Sequence, residues 1–290
     1  MRTELVHTVL SELARDGGRL QYGILGGNAG DALIDLGFFD LASATGLEYE
    51  VVDLAKVDPS RPLVLSGGGG LVDEWGAAGS RSIIDRLHRR AAPFVVLPQT
   101  VRGNVELLSS LGSNVTFFAR EEQSYEHARK HATGGARVLI DHDMAFNLDA
   151  RRFLDEGPAK RPRIKGTKDA VRFGLYNVAK IRSRLFGTIT VRRKDAESAS
   201  GSKSMRVYND LSFVTAFRGY DEATVRNTGK LLLEVIDGYE AVTTDRLHVG
   251  IGAFLLGKEV LFVNNSNSKI KGIYEYSMAS NEKVRFVVNR

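Results

Sequence analysis

The residues that bear most directly on chemistry are Thr243-Thr244-Asp245-Arg246-Leu247-His248, followed by an apolar run through Leu256. Arginine presents a rigid planar fork to phosphate or carboxylate oxygens. Histidine can hold or give a proton near neutral pH. Arg246 and His248 are two residues apart, so an extended backbone would project both to one side. The apolar run predicts a helix beginning near His248, whose first N–H groups and dipole favour an anion. The competing reading is a buried Arg–Asp pair with a histidine capping the helix.

Other clusters fall after apolar runs in the same way. Arg192-Arg193-Lys194-Asp195-Ala196-Glu197 offers cations for an anion, or forms a solvated charge run. Asn264-Asn265-Ser266-Asn267-Ser268-Lys269 is either a plain loop or a set of amides and hydroxyls for sugar or phosphate oxygens, with Asn265, Ser266 and Lys269 as candidates. In Gly26-Gly27-Asn28-Ala29-Gly30-Asp31 small residues permit a tight turn and close approach to a ligand. Asp31 there either caps the following helix or meets an acceptor hydroxyl. The glycine spacing is not G-x-G-x-x-G, which disfavours a nicotinamide fold. Four glycines, Gly67-Gly68-Gly69-Gly70, predict a turn against which a ligand or another segment passes; no Lys-Ser/Thr follows, so it is not a phosphate-binding P-loop. Gln99, in Pro98-Gln99-Thr100, either points a polar amide into the same sheet edge or sits in a strand-ending turn. Asp141-His142-Asp143 looks only loosely like a metal triad and serves equally well as caps, so no metal ligands are assigned.

Positioning these groups requires alternating strands and helices. Strands are predicted at 21–25, 49–53, 63–66, 94–97, 116–119 and 138–140, with helices at 32–44, 80–91, 104–111 and 121–131. A second alternation has strands at 187–192, 207–208 with 213–215, 241–244, 259–263 and 284–288, and helices at 221–238, 248–256 and 273–278. This is an α/β pattern of two Rossmann-like domains with parallel sheets joined by right-handed crossovers. The expected division is 1–157, a basic linker or helix at 158–186, and 187–290. In such sheets ligands bind beyond the C-terminal ends of strands, where these motifs lie.

The 290 residues suit roughly two domains of about 150 each. There are no cysteines, which excludes disulfide scaffolds and zinc–thiolate sites. The acid-bearing amphipathic N-terminus does not resemble a signal peptide, and no apolar stretch approaches the ~20 residues of a membrane span. A cytoplasmic protein is expected, at most peripheral at the inner face of the membrane. Residues 155–185 hold nine basic and three acidic side chains, a net +6 in a chain of +5. That block is either a solvated linker and helix face or a surface for anionic lipid or a lipid-linked diphosphate. Few aromatics are interleaved with it, so nucleic acid is not expected as a partner.

Taken together, these residues resemble the polysaccharide pyruvyl transferase family. The matching motifs are Asn28-Ala29-Gly30-Asp31 after a strand, the Gly67-Gly68-Gly69-Gly70 turn, Arg193-Lys194-Asp195-Ala196-Glu197, and Thr244-Asp245-Arg246-Leu247-His248 before an apolar helix. The loop from Asn264 with Lys269 and Gly272 completes the set. The resemblance runs from about Gly23 to Met278, and residues 158–186 depart from it. It implies a GT-B-like pair of domains with the active site in the interdomain cleft, phosphoenolpyruvate as co-substrate with no cofactor, and a pyruvate ketal on a glycan or lipid-linked saccharide of exopolysaccharide biosynthesis. On that basis Arg192, Arg193, Arg246, Leu247, His248, Asn265, Ser266 and Lys269 would hold the donor. Asn28, Gly30, Asp31, Gly68, Gly69 and Gln99 would meet the acceptor, with His248, Arg246 and Asp31 catalytic and Asp31 supplied by the opposite domain. Two rivals are a nucleotide-sugar glycosyltransferase, for which Glu275 is the candidate ribose carboxylate, and a non-catalytic protein that kept the fold.

Overall fold

The computed structural model describes residues 3–73, 80–162, 164, 166–193, 210–216, 219–264 and 269–287. Contacts divide the chain into two compact units. One comprises Met1–Leu25 and Gly37–Asn147, the other Gly26–Leu36 and Leu148–Arg290.

The first unit runs α1 (Glu4–Gly17), β1 (Leu20–Gly23), the latter part of α2 (Asp31–Thr45), β2 (Tyr49–Val52), β3 (Leu63–Leu65), β4 (Gly68–Leu71), α3 (Ser80–Leu87), β5 (Phe94–Val101), α4 (Val105–Ser110), β6 (Val115–Ala119), α5 (Glu122–His131) and β7 (Arg137–Ile140). Every strand pairing is parallel, in the order β2-β1-β3-β5-β6-β7, with β4 pairing β5 beyond the end of β3. Strands β3 and β5 are buried along their whole length, which is why β3 and the Phe94–Leu97 part of β5 read as unbroken apolar runs rather than alternating ones. Tyr22 stacks on Phe38 with ring centroids 3.8 Å apart, and Phe39 stacks on Tyr49, so aromatics fasten α2 to β1 and β2.

The second unit holds the start of α2, then α6 (Ala150–Asp155), α7 (Thr167–Leu185), β8 (Thr188–Val191), α8 (Leu211–Val214), α9 (Glu222–Asp237), β9 (Ala241–Thr244), α10 (Leu247–Leu255), β10 (Glu259–Val263), α11 (Lys269–Ser277) and β11 (Val284–Val287). Its sheet is parallel, in the order β11-β10-β9-β8. Residues Leu247 to Ala253 of α10 are all buried, as expected of a helix apolar all round. Gly229 of α9 and Gly252 of α10 admit Leu36 and Leu33: a Cβ at Gly229 would lie 2.4 Å from Leu36 Cδ1, and one at Gly252 3.2 Å from Leu33 Cδ1. These contacts bind the first turns of α2 into this unit.

Three local expectations are corrected. Pro98-Gln99-Thr100 is not a turn, because β5 continues through it to Val101. The proline sits where the register with β6 slips between Val96 and Gln99, a place where a missing N–H is tolerated. The glycine run is likewise no turn: from Gly68 it forms β4, irregularly registered on β5. The segment 213–215 is helical rather than extended, because the Asp210 carbonyl accepts the N–H groups of Phe213 and Val214 and starts α8. The strand expected at 207–208 lies outside the described residues.

Candidate functional site

The C-terminal ends of β8, β9 and β10 share one edge of the second sheet, since these strands are parallel neighbours. Beyond β9 the chain enters α10 with Arg246 as its N-cap residue and His248 already in the first helical turn. The two side chains therefore straddle a strand–helix handover and do not share an extended stretch, as the spacing had suggested. Both are 8% exposed.

Asp210 organises Arg246. Its Oδ1 accepts from Arg246 Nε at 3.1 Å and its Oδ2 from Nη2 at 2.6 Å, with the two side chains 5% and 9% exposed. A two-point clamp of this kind fixes the guanidinium plane, and burial makes losing either partner costly. The Arg246 N–H is held by Thr244 Oγ1 at 2.9 Å, which sets the cap geometry. The buried Arg–Asp pairing weighed at the outset thus exists, with Asp210 as partner rather than Asp245. Asp245 turns the other way: its Oδ1 accepts the Arg193 N–H at 2.7 Å, and its Oδ2 lies 4.0 Å from Arg192 Nη1. Burial raises the Asp245 carboxyl above its ordinary value, opposed by the Arg193 N–H and the neighbouring arginines. Arg193 is 6% exposed, so it is not part of a solvated charge run.

The loop 26–31 meets this edge. A Cβ at Gly30 would lie 2.8 Å from His248 Cβ and 3.3 Å from His248 Nδ1, so only glycine lets the backbone come so close. The Ala29 N–H donates to the Ser212 carbonyl at 3.1 Å, tying the loop to α8 and hence to Asp210. Asp31 Oδ2 accepts the Asn28 N–H at 2.8 Å, while Asn28 Oδ1 accepts the Gly30 N–H at 2.7 Å. Asp31 therefore belongs with His248 in one unit, which corrects the expectation that it comes from the opposite domain. Its carboxylate ties back to the preceding turn, as a helix-start acid does.

Lys269, the first residue of α11, is 6% exposed after β10. Asn264, at the end of β10, has a buried Oδ1 with no hydrogen-bond partner among the described residues. Asn265, Ser266 and residues 194–197 lie outside the described residues. Glu275 pairs with Lys271 on the exposed side of α11. Sequence reasoning missed Asp210 and Ser212, for which no motif gave a signal; Asn264 lay inside the amide-rich loop already singled out.

Gly68, Gly69 and Gln99 lie in the first unit, on β4 and β5. Gly68 is the registered neighbour of Gln99, whose Nε2 donates to the Ser66 carbonyl at 3.0 Å and whose Oε1 is buried with no partner among the described residues. The triplet after β7 is absorbed in structure. Asp141 Oδ2 accepts the Val6 N–H at 2.9 Å, and Asp143 Oδ2 accepts from buried Arg120 at 2.6 Å. Among the described residues no group of three or more His, Cys, Asp or Glu side chains is placed to hold a metal.

Comparison with known proteins bears on the fold and the family. A functionally uncharacterised protein of Klebsiella pneumoniae superposes with a TM-score of 0.75 at 24% identity over all of both chains, a likeness of fold. Two curated relatives are 2-epi-5-epi-valiolone synthases. The one from Streptomyces albus is 29% identical over 130 residues, 45% of this chain, and the one from Streptomyces hygroscopicus subsp. jinggangensis is 33% identical over 133 residues, 44% of this chain. The chain spans only 29% of the length of either synthase. The polysaccharide pyruvyl transferase profile matches residues 28–267, from the Asn28 turn past the Arg246–His248 handover. That span is most of the chain, and the protein belongs to the polysaccharide pyruvyl transferase family.

Proposed function

We propose that the protein transfers the pyruvyl unit of phosphoenolpyruvate to a vicinal or 1,3-related pair of sugar hydroxyls, forming a cyclic pyruvate ketal and releasing phosphate. The observation that carries the reading is Arg246. Its guanidinium is clamped by Asp210 at the N-terminus of α10, two residues before His248, where helix N–H groups and dipole favour an anion. Phosphoenolpyruvate carries its two anionic groups, carboxylate and phosphate, on one carbon, which suits a fork and an imidazole side by side. Arg192 and Lys269, at the ends of β8 and the start of α11, add positive charge along the same sheet edge.

In this reading a sugar hydroxyl adds to the enol carbon while His248 gives a proton to the methylene carbon. The carbon–oxygen bond to phosphate then breaks, and the electron pair leaves with phosphate. The second hydroxyl adds to the resulting cation, closing the ketal, and its proton passes to the imidazole that His248 was left with. Asp31 is the candidate acceptor for a hydroxyl proton. Preorganised donors facing developing charge are worth roughly 3–4 kcal/mol each in such sites.

Calorimetric titration of the full chain with phosphoenolpyruvate tests the donor. Wild type is expected to bind it and to bind no nucleotide sugar. His248→Gln should keep the fold and lose phosphate release with a glycan acceptor. Arg246→Lys, which keeps the charge but not the fork, should weaken binding. Failure of wild type to bind phosphoenolpyruvate would refute the donor assignment, and undiminished turnover in His248→Gln would refute the role of that residue.

A further inference from the structure

The feature that the reaction leaves unused is α7. Its inner side packs on α8 and α9 through Tyr176, Ala179 and Ser183, and the Tyr176 hydroxyl donates to Glu234 at 3.0 Å. The solvent side should then be polar, yet four large apolar residues stand on it. Val171 is 56% exposed, Val178 42%, Ile181 59% and Leu185 70%, with Phe186 following at 50%. Their spacing of seven, three and four residues sets them on one stripe of the helix. Exposed apolar residues that line up in this way mark an interaction face, whereas scattered ones need no explanation.

Charge identifies the occupant. Residues 158–186 contain nine Lys or Arg and one acid, Asp169. Exposed Lys168 and Arg184 lie at the two ends of the stripe. Arg182 stays beside it, with its guanidinium over the Phe186 ring at 4.7 Å. A second copy of the same face would bring these cations against themselves. A surface of anionic headgroups over acyl chains complements both parts at once: the valines, isoleucine and leucine enter the headgroup boundary, and the cations meet lipid phosphates. No helix among the described residues is long and apolar enough to cross a membrane, so this would be attachment in the plane of the interface. We infer that α7 is an in-plane docking helix that seats the protein on an anionic phospholipid surface. The surface is independent of the donor chemistry and would survive its refutation.

Co-sedimentation of the full chain with vesicles tests it. Binding is expected to vesicles containing phosphatidylglycerol and to be much weaker to pure phosphatidylcholine. Ile181→Asp/Leu185→Asp, both on the exposed side, should lower partitioning at least about tenfold while leaving the melting temperature unchanged. Lys168→Gln/Arg184→Gln should lower it by about tenfold or more and reduce its salt sensitivity. Equal sedimentation with anionic and neutral vesicles, or unchanged partitioning in both variants, would overturn the inference. So would a dimer in light scattering that Ile181→Asp/Leu185→Asp turns into monomer, because the stripe would then be a protein interface.

Discussion

The Asp210–Arg246 clamp permits a test that separates a positioning role from simple burial. Both charges are almost fully enclosed, and their two contacts are 2.6 and 3.1 Å long. Replacing either alone leaves the other charge buried without its partner, which costs about 3–5 kcal/mol. For a unit of this size each kcal/mol corresponds to roughly 2–4 °C in melting temperature, so Asp210→Ala and Arg246→Met should each lower it by about 6–20 °C. Replacing both removes the orphan charge, and the double variant should recover at least about 2 kcal/mol relative to the sum of the singles. Urea unfolding of the four proteins, with matched slopes, reads the coupling. Asp210→Ala should also weaken phosphoenolpyruvate binding, because an unclamped guanidinium has its fork to reorient at each encounter. Additive effects, or either single variant within about 0.5 kcal/mol of wild type, would refute the clamp as described.

Gly30→Ala should lower turnover far more than stability, because its methyl would sit 2.8 Å from His248 Cβ and push the imbalance onto that ring or the Asn28 turn; a stability loss of about 1–3 kcal/mol is expected from overpacking, and unchanged kcat would count against the contact. Gly250→Ala sets two effects against each other. Alanine favours a helix interior by about 1 kcal/mol over glycine, but its Cβ would fall 2.2 Å from Phe262 Cε1 and Cζ, so the variant should melt lower and Phe262→Leu should restore it. Asp221→Ala removes the α9 cap, whose Oδ1 accepts the Thr224 N–H at 2.9 Å and whose Oδ2 accepts the Thr224 hydroxyl at 2.7 Å, costing about 1 kcal/mol. Those Thr224 bonds hold the Asp221 carboxyl below its ordinary 3.8, so the cap contribution is complete above that pH and is lost as pH falls through the lower folded value; the gap between wild type and variant in thermal melts should close only in that acid range.

Much of the fold was legible because its strands are short apolar runs bounded by charge or glycine. β9 and β10 fall where the pattern of residues 241–244 and 259–263 put them. The failures have local causes. Pro98 looked like a strand terminator, but β5 exchanges its neighbour β3 for β4 at that point, and the register slip there absorbs the missing N–H. Phe213-Val214-Thr215 is apolar and branched enough to suggest a strand, but the Asp210 carbonyl nucleates a helical turn over Leu211–Val214 instead. No propensity argument over four residues could have decided that.

The site was legible where its parts are contiguous and hidden where they are not. Arg246 and His248 announce themselves within one motif, whereas Asp210 lies 36 residues upstream, in a stretch with no periodicity to mark it. The loop 26–31 was misplaced for a related reason: it follows β1 directly, so chain order assigns it to the first sheet. What decides its company is packing further along. Leu33 and Leu36 fit against Gly252 and Gly229, and those contacts lie one and two turns beyond Gly30 on the same helix. Two glycines on α9 and α10 that seemed ordinary in sequence thus draw α2 close enough for Gly30 to touch His248. The candidate acid and the candidate hydroxyl contact are then set by the core of a single unit, and the glycines behind the site matter to it as much as the one within it.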